Sequence, residues 1–89
     1  MKIIMSVELS LGYNNWKEKF LANEKFRQEN QIGLLAYGHE EGNENKIWVV
    51  MEAPSLAYIA SAINKPEMIK LRQDAGAIIE TQRIIPLVE

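Results

Sequence analysis

The chain reads as one α+β domain with its elements in the order β-α-β-β-α-β, and three observations lead there. Its 89 residues suffice for a single domain. Apolar residues alternate with polar ones over residues 2–10, and apolar, β-branched or aromatic runs recur near residues 32–39, 46–52 and 77–88. The stretches between the first two runs and between the last two carry apolar residues at helical spacing instead.

Strand one spans residues 2–10, with Ile3, Met5, Val7 and Leu9 on one face and Lys2, Ile4, Ser6, Glu8 and Ser10 on the other. Gly12-Tyr13 breaks the alternation, Asn14 or Asn15 supplies a cap, and Trp16 and Phe20 fall one turn apart on the inner side of a first helix. Phe26 lies off that stripe, so a break is expected near Asn23. A second helical piece, Glu24 to about Asn30, then turns Phe26 inward and leaves Lys25, Arg27, Gln28 and Glu29 in water.

Ile32–His39 reads as strand two and Lys46–Glu52 as strand three, joined as a hairpin through the polar stretch Glu40-Glu41-Gly42-Asn43-Glu44-Asn45. Pro54-Ser55 ends strand three and caps a helix whose Leu56, Ile59, Ala60 and Ile63 follow the i, i+3, i+4, i+7 rule. Asn64-Lys65-Pro66 interrupts it, and Pro66 suits the first turn of another helix with Met68, Leu71 and Ala75 inside. Gly76 closes that helix in the left-handed conformation, and residues 77–88 form the last strand, with Pro86 marking an edge.

This order is that of a ferredoxin-like fold: a four-stranded antiparallel sheet, strands one and three central, helices on one face. The face away from the helices is not polar. It carries Ile4, Leu35, Tyr37, Trp48 and Val50 if Ile32, Leu34 and Ala36 look toward the helices. Such a patch exceeds what soluble monomers commonly leave bare. A domain this small hides only roughly 60–65% of its unfolded surface, and with no cysteine and one histidine neither disulfides nor a metal cluster supplements the core. A sheet-to-sheet homodimer is therefore expected.

The ten Lys and Arg are dispersed among twelve Asp and Glu, for a net charge of −2, so no nucleic-acid partner is expected. No apolar run nears the ~20 residues that span a bilayer, and Glu8 arrives before a signal-peptide core is complete, so no membrane partner is expected and the location is read as cytoplasmic. Glycine-rich phosphate loops, strained serine elbows and zinc-ligand spacings are missing.

With the apolar sides of strands one to three turned to the helices, Ser6, Glu8, Tyr37, His39, Trp48 and Glu52 share the outer face. Arg83 or its neighbour Gln82 joins them from strand four, whose facing the alternation leaves open. These groups are expected to line a cavity for a small, partly aromatic molecule, with Trp48 stacking on it. Glu8 and His39 are the candidates for proton transfer, since a dry cavity readily tunes a carboxylate or an imidazole. The plainer reading pairs Glu8 with Arg83 and leaves His39 solvated beside the hairpin, and Trp16 belongs to the core.

The short first strand, the Trp-and-Phe helix, the hairpin, and Pro66-Glu67-Met68 leading through Asp74-Ala75-Gly76 into a last strand resemble the dimeric α/β-barrel superfamily. Within it they resemble a family of small proteins of unknown function found in bacteria, notably cyanobacteria. The resemblance implies a pocket between sheet and helices or inside the barrel. It implies, as the alternative to simple binding, a cofactor-independent oxygenase or isomerase acting on an aromatic or lactone substrate. Haem degraders of the superfamily carry a helix-borne histidine, whereas His39 ends a strand, so no cofactor is expected.

Overall fold

A computed structural model describes residues 1–89. β1 (Lys2–Leu9) leads to two short helices, α1 (Tyr13–Ala22) and α2 (Glu24–Glu29), and then to the hairpin of β2 (Gly33–Glu40) and β3 (Asn43–Glu52). Helices α3 (Leu56–Ile63) and α4 (Pro66–Asp74) precede β4 (Ala77–Leu87). The sheet is antiparallel with strand order β2-β3-β1-β4, which puts β1 and β3 at the centre as the ferredoxin-like topology requires. No helix is long and apolar enough to cross a membrane.

The central pair sorts the side chains. Ile3 faces Met51, Met5 faces Val49 and Val7 faces Ile47, and all six are buried under the helices with Trp16, Ile59, Ala62 and Ala75. The alternate positions Ile4–Val50, Ser6–Trp48 and Glu8–Lys46 point the other way. β3 starts earlier than the run of β-branched residues suggests, because the hairpin closes with only Glu41 and Gly42 between the paired Glu40 and Asn43. Gly42 takes a positive φ of 81° there.

The break at Asn23 is present, between α1 and α2. The expected Asn cap is not: α1 starts at Tyr13, with Gly12 in the cap position and no capping side chain. Ser55 does cap α3, accepting from the Tyr58 amide at 3.2 Å. The buried side of α3 is Ile59, Ala62 and the partly buried Ile63, rather than one that includes Leu56. Both sets keep helical spacing, and a helix this short and this apolar all round leaves its rotation to the neighbours it meets.

Three register shifts interrupt the sheet: one lies beside the hairpin between His39 and Glu40, and the other two redirect side chains. In β2, Leu34 pairs with Met51 but Ala36 pairs with Val50, so Leu35 is an extra residue and the alternation inverts beyond it. Between β1 and β4 the pairing jumps from Ser6–Arg83 to Glu8–Ile78. There the Glu8 amide donates to Thr81 Oγ1 at 2.9 Å, and that hydroxyl donates to the Ile78 carbonyl at 2.7 Å. β4 is an edge strand, which accommodates Pro86.

Gly76 links α4 to β4 at φ 88°, and a Cβ built there would lie 2.9 Å from Leu11 Cβ. The backbone needs a left-handed residue and the packing needs one without a side chain. We predict that Gly76→Ala lowers the unfolding free energy by about 2–3 kcal/mol, read as a fall in the urea midpoint at unchanged slope. A midpoint within error of the parent would show that the turn carries no such strain.

Candidate functional site

The residues expected to share the outer face come together there only in part. Ser6, Glu8, Trp48, Glu52 and Arg83 do stand on that face, and strand four contributes Arg83 opposite Ser6. Tyr37 and His39 do not. The extra residue in β2 aligns Tyr37 with Val49 and His39 with Ile47, so both turn toward the helices. Tyr37 packs on the core beside Trp16 and Phe20, and the His39 ring meets Tyr13 of α1 edge-on with centroids 4.6 Å apart.

Glu8 and His39, the two proton-transfer candidates, therefore lie on opposite sides of the sheet. Nor does Glu8 pair with Arg83: the chain has two ion pairs, Lys25–Glu29 and Lys70–Asp74, both exposed on helices. Trp48 donates from its indole to Glu40 at 2.6 Å, while Ser6 is buried between its cross-strand neighbours with its hydroxyl unpartnered. Glu52 borders a separate depression with Lys2 and Leu87.

The apolar space is on the helix side. A cavity of about 80 Å³ lies between the sheet and the four helices, floored by Met5, Val7 and Met51 and walled by Trp16, Phe20 and Phe26. Ile59, Ile63, Met68 and Leu71 close it from α3 and α4. Trp16 stacks on Phe20 at 4.6 Å between centroids, which makes one wall a continuous aromatic surface. The break at Asn23 lets the first helical segment deliver Trp16 and Phe20, and the second deliver Phe26 and Arg27, to the same space.

The polar groups on this cavity are Lys19, Asn23, Arg27 and Arg72; it has no Asp, Glu, His, Cys or Ser. Asn23 Nδ2 donates to Met68 Sδ at 3.8 Å. Arg27, expected in water, is only 5% exposed. Its guanidinium lies 4.1 Å over the Phe20 ring, and Nη1 donates to the Phe20 carbonyl at 2.6 Å, satisfying an end of α1. Its Nε and Nη2 are buried without a partner.

Arg72 reaches the Ile63 carbonyl at 3.4 Å through Nη1 and leaves Nη2 buried and unpartnered. Burial pulls both guanidinium groups below the ordinary arginine value, with the smaller pull of the Glu24 charge opposing it at Arg27. Sequence reasoning missed this pair. A signal existed for Arg72, whose helical neighbours at three and four positions are Met68, Ile69, Ala75 and Gly76, all apolar. Arg27 has polar neighbours at those positions and gives no comparable sign.

No family model and no curated protein matches the chain in sequence. Solved structures do match it in shape. SnoaB, a cofactor-independent oxygenase from Streptomyces nogalater, superposes with a TM-score of 0.64 at 8% identity, over 99% of this chain and 92% of that one. A candidate antibiotic biosynthesis monooxygenase from Deinococcus radiodurans gives 0.62 at 10% identity, over 100% and 94%. TftG, a 5-chloro-2-hydroxyhydroquinone dehydrochlorinase from Burkholderia phenoliruptrix in complex with 2,5-dihydroxybenzoquinone, gives 0.59 at 11% identity, over 100% and 95%. At these identities the likeness is one of fold, the ferredoxin-like one.

An unpaired cation in an apolar wall carries a desolvation cost that a hydrophobic replacement removes. Arg27→Met is accordingly expected to leave the urea midpoint of the ligand-free protein unchanged or raised, despite the lost bond to the Phe20 carbonyl. A drop of more than about 1.5 kcal/mol, the net worth of an ordinary hydrogen bond, would make Arg27 a structural residue first.

Proposed function

We propose that the protein binds a small, flat, partly aromatic molecule in the cavity between its helices and its sheet, and that the outer sheet face is a subunit contact. The observation that carries the first part is the composition of that cavity. Aromatic rings of Trp16, Phe20 and Phe26 line it together with three of the chain's four methionines. An apolar cavity of ~150 Å³ takes benzene, so about 80 Å³ admits a full ring only if the lining yields. Met5, Met51 and Met68 are the side chains suited to yield, being unbranched and polarizable.

A second reading, a cofactor-independent oxygenase or isomerase, is supported by the fold shared with SnoaB. It is supported too by a lining that offers cations and aromatic surface but no carboxylate or imidazole. In such a site the substrate's own anion would have to supply the electrons.

The pairing rests on the outer face. A row of apolar side chains, Ala36, Val50, Ile4 and Ile85, crosses all four strands, next to a row of Gly38, Trp48, Ser6 and Arg83. A second copy of the same face is the self-complementary cover for it. Ser6, Trp48, Glu52 and Arg83 then belong to the contact between subunits.

Native mass spectrometry of the protein as purified reads both parts at once. Added mass that is retained by the parent and missing from Ile63→Trp, whose indole fills the cavity, is the expected result; added mass in both would move the ligand elsewhere. Ile4→Lys and Val50→Lys are expected to convert a dimer into a folded monomer, and a parent that is itself monomeric would remove the sheet-to-sheet contact.

A further inference from the structure

Resting on the cavity binding just described, we propose that the occupant is an organic carboxylate: an apolar, ring-bearing body whose carboxylate is taken by Arg27, with Arg72 as the second cation. Arg27 is buried, 5% exposed, and it has no carboxylate within ion-pair distance. One of its nitrogens is spent on the Phe20 carbonyl, and the two left over are Nε and Nη2.

Those two nitrogens share one edge of the guanidinium plane, where their N–H bonds run parallel. That is the edge that receives the two oxygens of a carboxylate side by side, a match that a single hydroxyl or phenolate oxygen cannot make. Phe20 covers a face of the same guanidinium, which leaves approach in the plane. The aromatic contact therefore orients the edge rather than occupying it.

Arg72 enters the same cavity from α4 and also holds a buried, unpartnered Nη2. Nothing acidic lines the space and neither arginine has an ion pair, the Glu24 charge reaching Arg27 only from outside the cavity. Buried charges are ordinarily paired, and an anion brought by the ligand completes the pair. The free nitrogens are covered in the empty protein, so seating the carboxylate requires the same yielding of Met5, Met51 and Met68 that seating a ring requires.

The test compares acids with their neutral amides: benzoate and 1-naphthoate against benzamide and 1-naphthamide, followed by chemical-shift titration of the parent, Arg27→Met and Arg72→Gln. In the parent each acid is expected to bind at least about tenfold more tightly than its amide, as charge-assisted hydrogen bonds imply. That preference should vanish in Arg27→Met and weaken in Arg72→Gln, while the amides keep their affinity. A purely structural arginine would change both affinities together, and the ratio separates the two cases.

Acids and amides binding in the cavity with equal affinity would overturn the carboxylate inference and leave cavity binding standing. A preference that survives both substitutions would overturn it as well. Shifts absent from the cavity for all four probes would overturn the inference and the binding reading together.

Discussion

Everything else in this molecule depends on the register between β1 and β3. Pairing Ile3 with Met51, Met5 with Val49 and Val7 with Ile47 gathers six apolar side chains under the helices. A slip of one residue would send Ile4, Ser6 and Glu8 inward and strip the helices of their partners. Full burial of each large apolar side chain is worth about 1.5–3 kcal/mol, so the correct register is strongly preferred. The helices then have one face to cover, and the cavity is the space they leave over it.

The periphery departs from that regular frame. The extra residue in β2 carries Tyr37 and His39 through the sheet to the helix side, where Tyr37 backs the aromatic wall made by Trp16 and Phe20. The jump in β4 is held by Thr81, whose hydroxyl serves the Glu8 amide and the Ile78 carbonyl together. Bulges re-aim side chains without disturbing the central pair, and here the one in β2 decides which side of the sheet Tyr37 and His39 occupy. The outer face is left with an apolar row and a single large hydrogen-bonded aromatic, Trp48.

The two arginines are the costly feature of the structure. A domain with so thin a core gains little from burying cations beside Phe20 and Met68, and neither guanidinium forms an ion pair. Arg27 recovers part of the cost through the end of α1 and the Phe20 ring. Arg72 recovers less, through one long contact to Ile63. Such local conflicts with an otherwise consistent fold are found where binding takes precedence over stability.

The sequence by itself determined the order of elements, the faces of β1 and β3, the break at Asn23, the Ser55 cap and the left-handed Gly76. Each is written in local chemistry: a period of two, a phase change between Phe20 and Phe26, a hydroxyl ahead of an apolar helix, a glycine after one. Tertiary structure alone decided the facing of Tyr37, His39 and Arg83, because an extra residue in a strand is set by how the partner strand pairs, and no spacing of side chains announces it. It alone decided that Arg27 is buried, because a long cationic side chain on a six-residue helix goes where a neighbouring carbonyl and an aromatic ring receive it, and both belong to the helix before.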